Sequence, residues 1–359
     1  MQADKEGFEY PVVNLSNCID CHICEKVCQY INPFPEKDEP LHTYYYVTND
    51  AELRESSSSG GAFTALAKGV LDADGVVFGA VFDCEWNVLL SHVENENALS
   101  ELRRSKYVQA KVDNAYTLIK EYLNKGRQVL VCSTPCQING LNHYLGKDYD
   151  NLITIDFTCH AIPSPMVWSK YLKEISKDYT VVEVNFRNKL DHGWNNYGLK
   201  VVGIKGSNQS TLVNQGTGQN AYMKGFILGL FCRPSCSNCA SRNFKTKSDI
   251  MIGDFWNVEK YHSDKVLNDN KGVSLIMAMT AKGVERVNRI SAYGILQEVD
   301  FNEAETHDAH HCIVKSSTNH PFRSLFFKLH SIFGIVYTIN LCIEPIMFAK
   351  KIARKIIKR

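Results

Sequence analysis

Eight of the thirteen cysteines sit in loops at spacings that metal ligands use. The most specific set is Cys18-x2-Cys21-x2-Cys24-x3-Cys28. Short loops of this spacing aim three thiolates at one iron–sulfur cubane while the fourth reaches another cluster; zinc knuckles usually show two separated Cys-x-x-Cys pairs. The residue after Cys28 is Gln29 rather than the usual proline. The other four cysteines are dispersed: Cys136, Cys159, and the pair Cys236 and Cys239 in a polar loop. Apolar runs at Gln128 to Val131 and Leu152 to Phe157 precede Cys136 and Cys159 and read as buried strands ending in cysteine loops. Ligands of open α/β sheets sit beyond the carboxyl ends of strands, so these two thiols can meet in space. With Cys236 and Cys239 they make four thiolates, the number that an iron–sulfur cluster or a structural zinc takes.

Two further stretches carry candidate chemistry. In Glu55-Ser-Ser-Ser-Ser-Gly-Gly-Ala62, small residues open a helical pattern. Backbone N–H groups of Ser58, Ser59, Gly60 and Gly61 would there face an anion such as a phosphate or a flavin pyrophosphate. The plainer reading is a Ser/Gly linker with an N-cap. Arg103-Arg104-Ser105-Lys106-Tyr107 is a basic cluster, read either as a solvated charged turn or as a lysine and hydroxyls over a cofactor's anionic or carbonyl oxygens. Cys84, Cys232, Cys312, Cys342 and Cys132 are expected as small core residues. His307, His310 and His311 are expected in a polar, acidic loop rather than at a metal.

The elements that must position these groups follow from periodicity. Gly75 to Phe82 reads as a buried strand after a helix from Phe63 to Leu71, the order of an α/β unit. Helices are expected from Asn114 to Asn124, Pro165 to Lys177, Met223 to Leu230 and Ala281 to Ile290. Val181–Phe186 and Leu199–Ile204 alternate like a hairpin, and Ile250–Trp256 and Val273–Met279 read as strands. Residues 29–55, with Pro33, Pro35 and Pro40, read as a linker. From Leu325 to Ala349 a mostly apolar helix carries Ile332, Ile335, Val336, Ile339, Ile343 and Ile346 on one stripe before a basic end. It reads as packed on the protein's own core, as a peripheral contact with anionic lipid, or as a membrane span, the last opposed by His330, Asn340, Glu344 and Pro345 within it.

Composition bounds the class. A chain of 359 residues with net charge +1 and 22% charged residues offers no global field for nucleic acid. Residues 1–17 hold no apolar signal core, so the clustered cysteines are expected as metal ligands in a cytoplasmic protein rather than as disulfides.

Six segments then point to a family. Ser57-Ser-Ser-Gly-Gly61, Ser105-Lys-Tyr107, Ser133-Thr-Pro-Cys-Gln137, Cys159-His-Ala-Ile-Pro-Ser164, Arg233-Pro-Ser-Cys-Ser-Asn-Cys239, and Ser248-Asp249 through Gly253-Asp254-Phe-Trp256 appear in order over about residues 15 to 260. This resembles the coenzyme F-420 hydrogenase/dehydrogenase beta-subunit family. The resemblance implies an α/β (α+β) iron–sulfur flavoprotein core with a mixed sheet, one or two 4Fe-4S clusters and FAD. Ser58, Ser59, Gly60, Gly61, Ser105, Thr134 and Gln137 would contact the cofactor, Lys106 and Tyr107 would be catalytic, and Cys136, Cys159, Cys236 and Cys239 would hold the core cluster.

The implied division is a partial 4Fe-4S ferredoxin-like module at 1–40, the family's N-terminal domain at 41–125, its C-terminal domain at 126–300, and a tail at 301–359. The implied function is an oxidoreductase passing electrons between clusters and FAD to an organic acceptor: the deazaflavin, or a polysaccharide-biosynthesis intermediate. A ferredoxin or similar protein would supply electrons, and the Cys-His-Ala-Ile-Pro-Ser form resembles a bacterial branch found with surface-polysaccharide genes. Residues 1–11 look like the linker between two ferredoxin runs, so the sequence is expected either to begin at an internal methionine or to descend from a shortened gene, with Cys18, Cys21 and Cys24 lacking their customary fourth ligand and Cys28 either closing a strained single cluster or marking a degraded site. The rival expectation is a non-catalytic, zinc- or cluster-stabilised scaffold in a polysaccharide assembly complex.

Overall fold

In the computed structural model, residues 1–37, 39–307 and 312–345 are described. The strands are β1 (Gln2–Ala3), β2 (Glu9–Tyr10), β3 (His42–Thr48), β4 (Val76–Phe82), β5 (Val88–Val93), β6 (Val129–Ser133), β7 (Leu152–Phe157), β8 (Thr180–Asn188), β9 (Gly198–Lys205), β10 (Asn208–Gly216), β11 (Ile250–Asp254), β12 (Ser274–Ala278) and β13 (Gly294–Val299). The helices are α1 (Ile23–Lys26), α2 (Ala51–Glu55), α3 (Ala62–Leu71), α4 (Leu99–Leu102), α5 (Ala115–Asn124), α6 (Pro135–Leu145), α7 (Pro165–Ser176), α8 (Ala221–Ile227), α9 (Ala281–Arg289), α10 (Phe301–His307) and α11 (Arg323–Phe333). A last helix, α12, covers 335–345.

Eight strands form one mixed sheet in the order β13-β3-β12-β11-β7-β6-β4-β5. The centre, β4, β6, β7 and β11, is parallel, and β5, β12, β3 and β13 add antiparallel partners. Both faces are covered, so the central strands read as near-continuous apolar runs. Leu130, Ile153 and Ile250 pack with α3 and α9 on one face. Val129, Val131 and Leu152 pack with α5 and α6 on the other. The sheet takes strands from both 41–125 and 126–300, so those two stretches share it.

A second sheet, β10-β9-β8, is antiparallel and packs with α7, α8 and the C-terminal helices in a core of its own. Strands β8 and β9 are the expected hairpin.

Three expectations need correction. Residues 42–48 are a strand between β12 and β13, not linker, with Tyr44, Tyr45, Tyr46 and Val47 buried. Aromatic and β-branched residues fit a pleated, buried surface, and the prolines at 33, 35 and 40 end before it. Cys84 is exposed, in the turn between β4 and β5, whereas Cys232, Cys312 and Cys342 are buried as expected. The tail is not one helix: Gly334, at φ 84°, separates α11 from α12. Ile335, Ile339 and Ile343 are buried in the protein's own core, while Ile332 points outward. No described helix is long and apolar enough to cross a membrane. His310, His311, Ile346 and the basic end from Lys350 to Arg359 lie outside the described residues.

Candidate functional site

Strands β6 and β7 are adjacent and parallel, with Ser133 opposite Asp156, so the loops that follow them emerge side by side. Cys136 sits in the first turn of α6, after Pro135, where the helix dipole favours a thiolate. Thr134 Oγ1 stands 3.2 Å from Cys136 Sγ. Cys159 follows β7, and Cys236 and Cys239 come from a 3-10 turn, Pro234–Asn238.

The four thiols lie within electrostatic reach of one another. Burial raises the Cys136 thiol, which Thr134 and Arg233 oppose and Cys239 reinforces. Burial raises Cys159 well above the usual thiol range, with Cys236, Cys136 and Cys239 adding to it and Arg242 opposing. Cys236 is pushed up to about 12 by burial, with Cys136 and Cys239 alongside. Cys136, Cys159 and Cys236 thus resist ionisation unless a cation joins them, which is the condition metal coordination supplies. Among the described residues no three His, Cys, Asp or Glu groups are close enough to hold a single metal ion.

The N-terminal segment reaches this site. Gln29 donates to the Cys136 carbonyl at 3.0 Å and accepts from Ser241 Oγ at 3.0 Å. Tyr30, hydrogen-bonded to Ser235, lies among Cys136, Cys239 and Cys236. Of the N-terminal cysteines, Cys18, Cys21 and Cys24 are exposed and Cys28 is half-buried.

The Ser/Gly loop before α3 is held by protein groups. Ser58 Oγ accepts from the Ser105 amide at 2.9 Å, Ser59 Oγ donates to the Val273 carbonyl at 2.6 Å, and the Gly60 amide donates to Ser274 Oγ at 2.9 Å. A Cβ at Gly60 would stand 2.2 Å from the Tyr46 carbonyl, so this glycine lets the loop lie against β3 and β12. Gly61, at φ 95°, turns the chain into α3. Thr134 and Gln137 also face inward: Ser133 Oγ donates to Gln137 Oε1 at 2.5 Å, and Gln137 Nε2 donates to the Ala110 carbonyl at 2.9 Å.

Lys106 folds back over the end of α4, donating to the carbonyls of Glu101 and Arg103 at 3.1 and 3.0 Å. Burial, with Arg104 beside it, brings its pKa down to about 7. Ser56, Phe82, Arg103, Arg104, Ser105 and Lys106 line a cleft of about 310 Å³, at the low end of small-molecule sites.

Three groups escaped the sequence reading. Arg187, at the end of β8, is buried and donates to the Ser58 carbonyl and Asp254 Oδ1, both at 2.7 Å. Its guanidinium stacks 3.7 Å from the Tyr197 ring and meets the Tyr107 hydroxyl at 3.4 Å. Burial opposes its charge, but Asp254, Tyr107 and Tyr197 outweigh burial and keep it protonated. Lys189 donates to the carbonyls of Arg54, Ser59 and Lys271 at 2.7, 3.1 and 2.6 Å; burial and then Arg187 lower its pKa to about 7. Asp156 is fully buried at the end of β7, where Thr246 and Ser248 hydroxyls donate to Oδ2 at 2.8 Å. Burial, against those bonds and Lys37, pushes it up to about 7. The available signals were an Arg-Asn-Lys triplet closing an alternating strand and a lone acid closing an apolar one.

The chain is similar to a chain of the xenon-derivatised F-420-reducing NiFe hydrogenase complex from Methanosarcina barkeri, at 15% identity and a TM-score of 0.48, covering 87% of this chain and 94% of that one. No curated protein matches it. The family described as the C terminus of the coenzyme F-420 hydrogenase/dehydrogenase beta subunit matches residues 126–304, which carry β6, β7, β8, β11 and all four converging thiols. The chain belongs, through this region, to the coenzyme F-420 hydrogenase/dehydrogenase beta-subunit family.

Proposed function

We propose that this oxidoreductase-family chain is an iron–sulfur flavoprotein subunit that exchanges electrons between a redox partner protein and an organic acceptor of the deazaflavin type. The observation that carries the reading is the convergence of Cys136, Cys159, Cys236 and Cys239 from three separate segments at the carboxyl ends of β6 and β7. Four thiolates are the number that a 4Fe-4S cluster takes, and the same number would suit a structural zinc.

The cleft beside Ser105 would suit a flavin pyrophosphate by charge, since Arg103 and Arg104 line it and cations suit pyrophosphate oxygens. The Ser58–Gly61 loop then serves as a wall, held by Ser105, Ser274, Arg187 and Lys189, rather than as the phosphate contact itself. When bound, a flavin would supply the two-electron store and clusters would pass single electrons. The chain's own part is to orient these groups and to hold protons near neutrality at Lys106 Nζ and Asp156. Thr134 and Gln137 position the Cys136 loop, and Tyr107 links the cleft to Arg187.

The test is the visible spectrum and metal content of anaerobically purified protein. A flavin band with a broad cluster absorption is expected, and Cys136→Ser, Cys159→Ser, Cys236→Ser and Cys239→Ser should each lose about four irons per chain, whereas Cys84→Ser should not. Colourless protein holding zinc at the same four cysteines would replace this reading with the scaffold.

A further inference from the structure

We infer, resting on the iron–sulfur reading of the core site, that Arg242 and Arg233 are the counter-ions of the Cys136, Cys159, Cys236 and Cys239 set and hold the midpoint potential of its cluster up. Arg242 is only 8% exposed. Arginine keeps its charge in proteins, and a buried charge is costly unless a group of opposite sign meets it. Arg54 and Arg187, also buried, each have such a group: Asp269 at 2.6 Å and Asp254 at 2.7 Å. Arg242 has none. It donates to the Cys312 carbonyl and, at 3.5 Å, to that of His160, while its Nε is buried without a hydrogen-bond partner. Arg233 donates to Gln109 Oε1 at 3.2 Å and to the Glu9 carbonyl at 3.0 Å, and lies 4.2 Å from the Tyr10 ring. These partners are neutral. Among the described residues no carboxylate stands within ion-pair distance of either guanidinium.

The anion within reach of both is the thiol set. Arg233 stands three residues before Cys236, and Arg242 three after Cys239. Arg233 caps the 3-10 turn: the Cys236 amide donates to its carbonyl at 3.0 Å, and its own amide donates to the Ile162 carbonyl at 2.8 Å, just past Cys159. The Arg242 amide meets the Cys239 carbonyl at 3.4 Å, and its side chain reaches the residue after Cys159. After burial, Arg242 acts most strongly on the Cys159 thiol, and it favours the thiolate. Burial raises Cys136 and Cys236, and Arg233 opposes it at both. A 4Fe-4S cluster held by four thiolates is anionic in both oxidation states. Taking one electron from the redox partner adds one negative charge, with no bond made or broken. A fixed cation nearby stabilises the reduced form more than the oxidised one and so raises the potential. At a buried position salt screens that effect little.

The test is a reductive titration of the anaerobically reconstituted full-length chain with dithionite, followed by electron paramagnetic resonance, with iron and sulfide counted. A Cys18→Ser, Cys21→Ser, Cys24→Ser, Cys28→Ser background confines the signal to the core set. Arg242→Met and Arg233→Met should each keep about four irons per chain and shift the reduction equilibrium about tenfold toward the oxidised form, a potential lower by about 59 mV. Arg242→Lys and Arg233→Lys retain the charge and should recover most of that shift, which a role in packing alone would not give. Lys205→Met, which removes an exposed cation on β9, should leave the potential in place. Met variants at the parent potential, or Lys variants as low as the Met ones, would overturn the assignment. If Arg242→Met holds no iron, the two Arg233 variants decide by the same criterion. A parent chain that holds zinc, or no cluster, would overturn the iron–sulfur reading and this assignment with it.

Discussion

Arg187 is a buried charge at the end of β8, and Asp254, Tyr107 and Tyr197 keep it protonated against burial. Asp254 closes the pair at 2.7 Å, and Trp194 Nε1 donates to the same carboxylate oxygen at 2.7 Å. Removing one member of a buried pair strands the other in low dielectric, which costs about 3–5 kcal/mol, whereas replacing both with apolar groups is often neutral. Arg187→Met and Asp254→Leu should therefore each lower the urea midpoint strongly, and the double variant should recover most of the loss. Additive losses in the double variant would contradict a coupled pair.

Asp156 gives a pH signature at the same scale. Its folded pKa, about 7, lies above that of an ordinary aspartate. The folded state then binds the proton more tightly, so the stabilisation is full below the unfolded value near 4 and is lost as pH rises through about 7. Unfolding free energy should fall by up to about 1.4 kcal/mol per pH unit in that window. Asp156→Asn should remove that slope in denaturation curves taken from pH 5 to 7, and an unchanged slope would assign the effect to other groups.

At the scale of elements, the loop into α3 and the break between α11 and α12 make opposite demands on space. A methyl at Gly60 meets backbone on both sides, Tyr46 O at 2.2 Å and Ser274 N at 2.7 Å, and neither can swing away. Gly60→Ala should cost about 1–3 kcal/mol or more, while Gly218→Ala, with nothing within 4 Å, should leave the melting temperature in place. Ile339 on α12 is fully buried, whereas Ile332 on α11 is 69% exposed. Ile339→Ala should cost about 2–5 kcal/mol through the cavity it leaves, and Ile332→Ala should be close to neutral. Equal melting temperatures for the two would undo the packed arrangement of the tail.

At the scale of the molecule, the large sheet ties distant parts of the chain together. Strand β3 lies between β12 and β13, β4 pairs with β6, and β5 pairs with β4, so residues 42–48, 76–82 and 88–93 complete a sheet whose other strands come from 126–304. A fragment of residues 126–304 would expose the edges of β6, β12 and β13, which invite aggregation. It should aggregate or lack near-ultraviolet dichroism, and a well-folded fragment would mean that β3 and β4 are dispensable.

Local pattern determined a good deal. Apolar runs placed β4, β6, β7, β11 and β12 within a residue or two, because strands buried on both faces must be apolar throughout. The cysteine pattern also singled out Cys136, Cys159, Cys236 and Cys239, which the fold brings within electrostatic reach of one another. Tertiary structure alone decided the rest. The aromatic and β-branched run at 42–48 favours a strand, but its interior place between β12 and β13 is not local, since its pairing partners lie more than 200 residues away. Nor does anything local say that Arg187 and Lys189 would grip the carbonyls of Ser58 and Ser59, or that Gln29 would reach Cys136. Charge partners and close backbone approaches depend on which segments the sheet order brings together, and sheet order is set by burial summed over the whole chain, not by any one stretch of it.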